Sequence, residues 1–313
     1  MNPKCTHRLG EERLNNQGNL MKIIEYNNAQ DVIVEFQDEH KTKVHTSYQA
    51  FVKGNVRNMP LRLGEIRSNN RGTLMKIIVY NNNSDIIVEF QDKYKAKVHT
   101  GYKEFLIGNV KNPYDKTVLN VGMIGEKYPT SKNQKGTKEY LAWNHMLVRC
   151  FDEKFKDKQP TYKDVICCEE WLLFDNFYEW LHSQENFEKW YNSEDCGLDK
   201  DILSKRNKLY SPETCCLVPK MINELFTKRD NYRGNFPIGV NEKDGGFQVR
   251  CSNPITKERE YLGYYKSVQD AFRVYKKRKE EIIKQVAQIE FNKGNINRRC
   301  YEAMMGYKVE ITD

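Results

Sequence analysis

The chain copies itself near its start. Leu9-Gly10-Glu11 returns as Leu63-Gly64-Glu65, and Leu20-Met21-Lys22-Ile23-Ile24 as Leu74-Met75-Lys76-Ile77-Ile78. In the same register Val34-Glu35-Phe36-Gln37-Asp38 matches Val88-Glu89-Phe90-Gln91-Asp92, Val44-His45-Thr46 matches Val98-His99-Thr100, and Gly54-Asn55-Val56 matches Gly108-Asn109-Val110. A fixed period of this kind means two copies of one folding unit. Within each copy, short runs of β-branched and aromatic residues (Met21 to Tyr26, Val32 to Phe36) are separated by asparagine turns. Three or four short strands per unit predict a small β-barrel or curled sheet of SH3-like type. His45 and His99 sit on polar strands with no Cys or second His beside them, so they read as surface residues.

After the repeats the pattern changes. Lys111-Asn112-Pro113-Tyr114 reads as a linker, and helical spacing of Tyr140, Trp143, Leu147 and Phe151 follows Gly136. Trp171 to Leu181 predicts an aromatic helix whose stripe is core. The whole is expected to be α+β and multidomain, with units at 1–58, 59–116, 117–228 and 229–313.

Net charge is +8, and it is unevenly placed: +5 over residues 1–116, −3 over 117–227 and +8 over 228–300. A basic module beside a mildly acidic centre suits a polyanion partner next to a carboxylate-bearing site. No run approaches the roughly 20 apolar residues that span a bilayer, and Met1 to Lys4 has no secretory apolar run. Residence in the cytoplasm, without membrane contact, is expected. The nine cysteines contain no CxxC pair. Cys150, Cys167, Cys196 and Cys215 could converge, but buried thiols are the favoured reading over structural zinc.

Two resemblances follow from particular residues. Trp143 to Met146, Arg149-Cys150-Phe151, Cys168 to Trp171 and Phe174 to Trp180 lead into Leu198-Asp199-Lys200-Asp201-Ile202, then Tyr210-Ser211-Pro212-Glu213-Thr214-Cys215 and Asn223. This succession, over about residues 117–228, resembles phage-encoded HNH endonucleases built on a ββα-metal unit. The resemblance implies a site of action in the bacterial host cytoplasm, magnesium held by Asp199 and Asn223, and Lys200 and Asp201 at the catalytic positions. Phosphodiester hydrolysis needs a divalent ion to neutralise developing charge and a base to activate water. The sequence departs from the pattern where it matters most: Lys200 stands where the family has its basic His. A lysine at its ordinary pKa is protonated and suits phosphate better than proton abstraction. His145 and His182 are the other histidines of the region. The competing reading gives Asp199 and Asp201 to turns and to salt bridges with Lys205 and Arg206.

The second set is Gly239-Val240, Gly246 to Arg250, Tyr261 to Tyr265 and a helix from Ser267 containing Ala271-Phe272 and Tyr275. It resembles the Apetala-type, ERF-like DNA-binding domain, implying three antiparallel strands on one helix. Strand alternation independently places Phe247, Val249 and Cys251 on one face and Gln248, Arg250 and Ser252 on the other. Gln248, Arg250, Arg259 and Tyr261 are the expected base-reading residues for double-stranded DNA. Lys276 and Lys277 are the expected phosphate contacts. The expected function is DNA recognition coupled to metal-dependent nicking or cleavage, and the rival is a catalytically inactive nuclease-like DNA- or protein-binding regulator or inhibitor of host machinery. A third reading makes the chain an adaptor that binds a protein through the repeats.

Overall fold

In the computed structural model the described residues are 8–39, 41–58, 62–226 and 236–312. The fold is mixed α+β, with several small antiparallel sheets and α-helices of 5 to 25 residues. It divides into two compact units, 1–112 and 113–313. No helix among the described residues is long and apolar enough to cross a membrane.

The first unit carries the duplication. Strands β1 (Glu12–Leu14), β2 (Leu20–Asn28), β3 (Asp31–Phe36) and β4 (Lys43–Thr46) form a four-stranded antiparallel meander, followed by helix α1 (Tyr48–Val52). The second copy repeats it as β5 (Ile66–Ser68), β6 (Leu74–Asn82), β7 (Asp85–Phe90), β8 (Lys97–Thr100) and α2 (Tyr102–Leu106). The pleat explains the core: Met21, Ile23, Val32, Val34 and Phe36 point inward onto Phe51 and Val56. Among the described residues the outer strands do not pair with each other, so each copy is an open sheet, not the closed barrel the strand pattern suggested. Three or four residues per outer strand are too few to wrap round.

One buried side chain fixes the entry turn of each copy. Asn15 Oδ1 accepts the backbone N–H groups of Gln17 (3.0 Å) and Asn19 (2.8 Å), while its Nδ2 donates to Val56 O at 2.9 Å. Asn69 repeats the arrangement with Arg71, Thr73 and Val110. His45 and His99 are exposed and each meets an aspartate across its hairpin, Asp31 at 2.6 Å and Asp85 at 2.7 Å.

The second unit opens with a tight hairpin, β9 (Ser131–Lys132) and β10 (Lys135–Gly136). Helix α3 (Lys138–Phe151) starts where Thr137 accepts the N–H of Tyr140, and it buries Trp143, Met146, Leu147 and Cys150. Short α4 (Glu153–Lys158) follows. The aromatic run is not one helix. Trp171 belongs to a separate 3-10 turn, and α5 begins only at Phe174 and ends at His182. The break has a cause: Met123 pairs with Leu173, its N–H donating to Leu172 O and its C=O accepting from Phe174 N–H, which takes this backbone out of the helix. Trp171, Phe174, Phe177 and Leu181 are still buried, as a core stripe should be.

Helix α6 (Phe187–Asn192) leads into the centre of the unit. Strand β12 (Cys196–Asp199) pairs antiparallel with β14 (Cys216–Pro219), and α7 (Lys220–Phe226) follows directly. Between them β13 (Leu209–Tyr210) runs parallel to β11 (Ile166–Cys167). Last come a three-stranded antiparallel sheet, β15 (Val240–Lys243), β16 (Gly246–Asn253) and β17 (Glu258–Tyr265), the long α8 (Val268–Asn292) and α9 (Arg298–Gly306). The boundary expected at 228/229 lies outside the described residues. On either side of it the chain builds a single apolar cluster: Val218, Ile222 and Leu225 join Val249, Phe272, Ile282 and Val286.

Asn15→Ala removes two acceptor contacts and one donor from a buried turn and is expected to cost about 1–3 kcal/mol. Amide exchange at Gln17 and Asn19 should accelerate while Arg71 and Thr73, in the untouched copy, serve as internal standards. Equal exchange in both copies would show that the asparagine does not hold the turn.

Candidate functional site

Strand, strand and helix place Asp199 at the end of β12 and Asn223 on α7. Gly197 lies two residues before Asp199, so both project to one face. A Cβ at Gly197 would stand 3.7 Å from the Asn223 amide nitrogen, so α7 brings this amide to the face that Asp199 shares. The Asp199 carboxylate is already engaged: Oδ1 accepts the N–H groups of Asp201 and Ile202, both at 2.8 Å. Burial pushes its carboxyl above the ordinary value, against the lowering effect of those two donors.

Lys200, the residue after Asp199, is engaged elsewhere. It is only 7% exposed. Its ammonium donates to both carboxylate oxygens of Asp201, at 2.8 and 2.7 Å, and to Asn207 O at 2.8 Å. Three donors and three acceptors leave none for a phosphate. Asp201 is spent on the same pair, not on Lys205 or Arg206 as its sequence neighbourhood suggested. Asp199 does serve as a turn residue. The two histidines of the region have surroundings of their own. His182 is stacked between Tyr178 and Phe187 and meets Glu139 at 3.3 Å, and His145 is exposed on α3.

As a magnesium site the donors are few: one carboxylate with an oxygen already bonded, and one amide. Among the described residues no three His, Cys, Asp or Glu side chains converge to hold a metal. Magnesium that keeps most of its water needs only one or two protein oxygens, and Asp199 with Asn223 is the pair that would supply them. Of the four cysteines that could have converged, Cys150 and Cys215 are buried and their thiols are pushed up to about 12 by that burial. They are protonated at neutral pH. Cys5 lies outside the described residues.

The three-stranded sheet is arranged quite differently. Its inward side, Val249 and Cys251, packs into the core with Ala271, Phe272 and Tyr275 of α8. Its open side holds Gln248, Arg250 and Ser252 of β16. The β15 and β17 partners run beside them in register: Asn241 and Tyr264 flank Gln248, Tyr261 is opposite Arg250, and Arg259 is opposite Ser252. Four of the expected reading residues, Gln248, Arg250, Arg259 and Tyr261, are thus brought onto one surface. Arg250 and Arg259 are exposed and make no ion pair among the described residues, and Tyr261 is 59% exposed. The acidic side chains of these strands, Glu242, Glu258 and Glu260, fall at the opposite parity. Glu260 there accepts Arg278 at 2.6 and 2.9 Å and Asn253 at 2.7 Å, which holds its carboxyl down at about 2.

A bulge resets the alternation. Val249 pairs with Gly263 but Arg250 with Tyr261, so Leu262 is the extra residue and Gly263 takes a φ of +119°. Tyr264 is thereby turned to the open side, where its OH donates to Asp244 O at 2.9 Å and Lys266 lies 5.4 Å from its ring. Strict alternation from Arg259 misses Tyr264; the signal that could have found it is a glycine inside a strand pattern. The two expected phosphate contacts are not on this face. Lys277 is exposed on α8, and Lys276 donates to Val309 O at 2.6 Å and meets Glu280 at 3.4 Å.

No protein-family model, no curated protein and no solved structure matches this chain.

Because the folded state raises the Asp199 carboxyl, it holds that proton more tightly than the unfolded chain does. Stability therefore falls as pH rises from the ordinary carboxylate range through the raised folded value. Asp199→Asn keeps an oxygen for the two backbone donors and removes this slope. Its melting temperature should gain on the parent's as pH is raised toward neutral. A parallel pH profile for the two proteins would show that burial does not penalise the charge.

Proposed function

We propose that this chain binds duplex DNA through the open face of the β15–β17 sheet. The observation that carries the reading is the segregation of charge across that sheet. Outward positions hold arginine, lysine, glutamine, asparagine, serine and tyrosine, while the glutamates are turned to the inward parity. A twisted ribbon of this size fits the major groove, where Arg and Gln pair with base edges and Tyr supplies a flat apolar body with a polar tip. Unpaired guanidinium groups on a rigid sheet meet DNA without first breaking an internal ion pair. The ERF-like resemblance of residues 233–286 points the same way.

The finer readings belong to the same proposal. The nuclease-like unit, as arranged here, acts as a scaffold for recognition. Lys200 is held by Asp201 and Asn207, and His182 is packed between Tyr178 and Phe187 and meets Glu139, so each already has a structural partner. The two repeats are SH3-like modules for a protein partner. The setting is a phage protein acting in its host's cytoplasm. A second reading, magnesium-dependent nicking, is favoured by one observation: Asp199 and Asn223 share a face of a strand–strand–helix unit.

Anisotropy with a labelled duplex separates these contributions. Losing a base-edge contact costs about 1–3 kcal/mol, so Arg250→Ala with Arg259→Ala should weaken binding by at least about tenfold and flatten the salt dependence. Lys276→Ala should stay within about twofold, because its ammonium faces the chain's own Val309. Salt-insensitive binding, or none, would remove the proposal. Relaxed plasmid appearing with magnesium in the parent but not in Asp199→Ala would establish the second reading instead.

A further inference from the structure

Lys205 and Arg206 follow the Asp199 turn in the loop between β12 and β13, and both are taken up by one stretch of chain, 307–312. Lys205 donates to Lys308 O at 3.1 Å and meets the Glu310 carboxylate at 3.3 Å. Arg206 bonds the same carboxylate at 3.2 Å and Thr312 Oγ1 at 2.6 Å. The stretch is held from its other side by α8. Val309, 3% exposed, gives its N–H to Glu280 at 2.9 Å and its C=O to Lys276 at 2.6 Å. Tyr307 packs on Phe226 with ring centroids 4.7 Å apart.

This strap has an anchored half and a loose half. Tyr307 and Val309 are fixed by burial and backbone hydrogen bonds. Glu310 is 51% exposed, as is Arg206 at 55%, and ion pairs standing in water are weak and easily exchanged. Arg206 also holds a left-handed backbone, φ +62°, which is uncommon for a residue other than glycine. Asn207 fixes the loop behind it by donating to Lys200 O and Leu209 O. The loop therefore presents two neighbouring cations in a set conformation to a carboxylate and a hydroxyl.

We propose that Lys205 and Arg206 form a binding site for the phosphodiester backbone, separate from the sheet face, and that Glu310 is its internal stand-in ligand. A polyphosphate chain offers the same chemistry at higher charge density and displaces Glu310–Thr312, while Val309 keeps the strap attached. The DNA form of this inference rests on the function proposed above; the anion site itself does not.

The full-length protein is titrated with a 20-base-pair duplex (roughly two helical turns) and, separately, with inorganic polyphosphate, over a salt series. Three proteins are compared: the parent, Glu310→Gln, and Glu310→Gln carrying Lys205→Gln and Arg206→Gln. Freed of its stand-in, Glu310→Gln should bind about threefold to tenfold tighter at low salt, with the log–log salt slope steeper by up to about 2. The triple variant should lose that gain, and melting curves check that each protein is folded. Bound polyphosphate should also speed amide exchange across 310–312 in the parent. Glu310→Gln binding both probes no better than the parent overturns the site, whether or not the sheet-face variants weaken DNA binding. A gain for polyphosphate that depends on Lys205 and Arg206, with no DNA binding by any of the three, supports the site and rejects the DNA function instead.

Discussion

The apolar cluster that α8 shares with its neighbours is the constraint on which the second unit depends. The first turns of this helix bury Ala271, Phe272 and Tyr275 with Val249 and Cys251 of the sheet; later turns place Ile282, Ile283, Val286 and Ala287 in the same cluster as Val218, Ile222 and Leu225. One helix thus welds the strand–strand–helix unit to the three-stranded sheet. A sheet of three strands with one solvated face has little core of its own, and the helix lends it one. Its open face is consequently a rigid surface, and side chains on rigid elements hold their geometry better than side chains on loops.

Cations in this unit meet three different fates. Lys200 is buried and neutralised by Asp201 at 2.7 Å, a structural pair. Lys205 and Arg206 are engaged with a half-exposed carboxylate, which can be exchanged. Arg250 and Arg259 stand in water without an acidic partner among the described residues. Net charge alone does not distinguish these cases; burial and partner do. The basic run Lys276 to Arg278 makes the same point, since Lys276 holds a backbone carbonyl and Arg278 holds Glu260, leaving Lys277 as the exposed member.

Much of this architecture was legible in the sequence where local periodicity governs it. The duplication, the helical spacing that follows Gly136, the Ser267 start of α8 and the two faces of β16 all follow from spacing that a short window contains. What was not legible depends on partners far along the chain. The aromatic run is interrupted because Met123 claims its backbone. Asp201 and Lys205 look like natural partners four residues apart, yet each is paired elsewhere, Lys205 with Glu310, 105 residues further along the chain. Whether a strand closes a barrel is set by its length and twist, and alternation reports neither.

The paired sheets of the first unit pose a folding problem that a single copy would not. β2 and β6 share Leu-Met-Lys-Ile-Ile, and their partners β3 and β7 share Val-Glu-Phe, so either strand could zip onto the other's partner with nearly the same side-chain contacts. Exchange of this kind is a recognised failure of tandem repeats. Side chains cannot discriminate between the two outcomes, but chain connectivity can. The native hairpins close over Ala29-Gln30 and Asn83-Ser84, whereas the swapped pairing must close a loop tens of residues long. Loop entropy favours the short closure. Two-residue connections, rather than complementary cores, are what keep each copy folding onto itself.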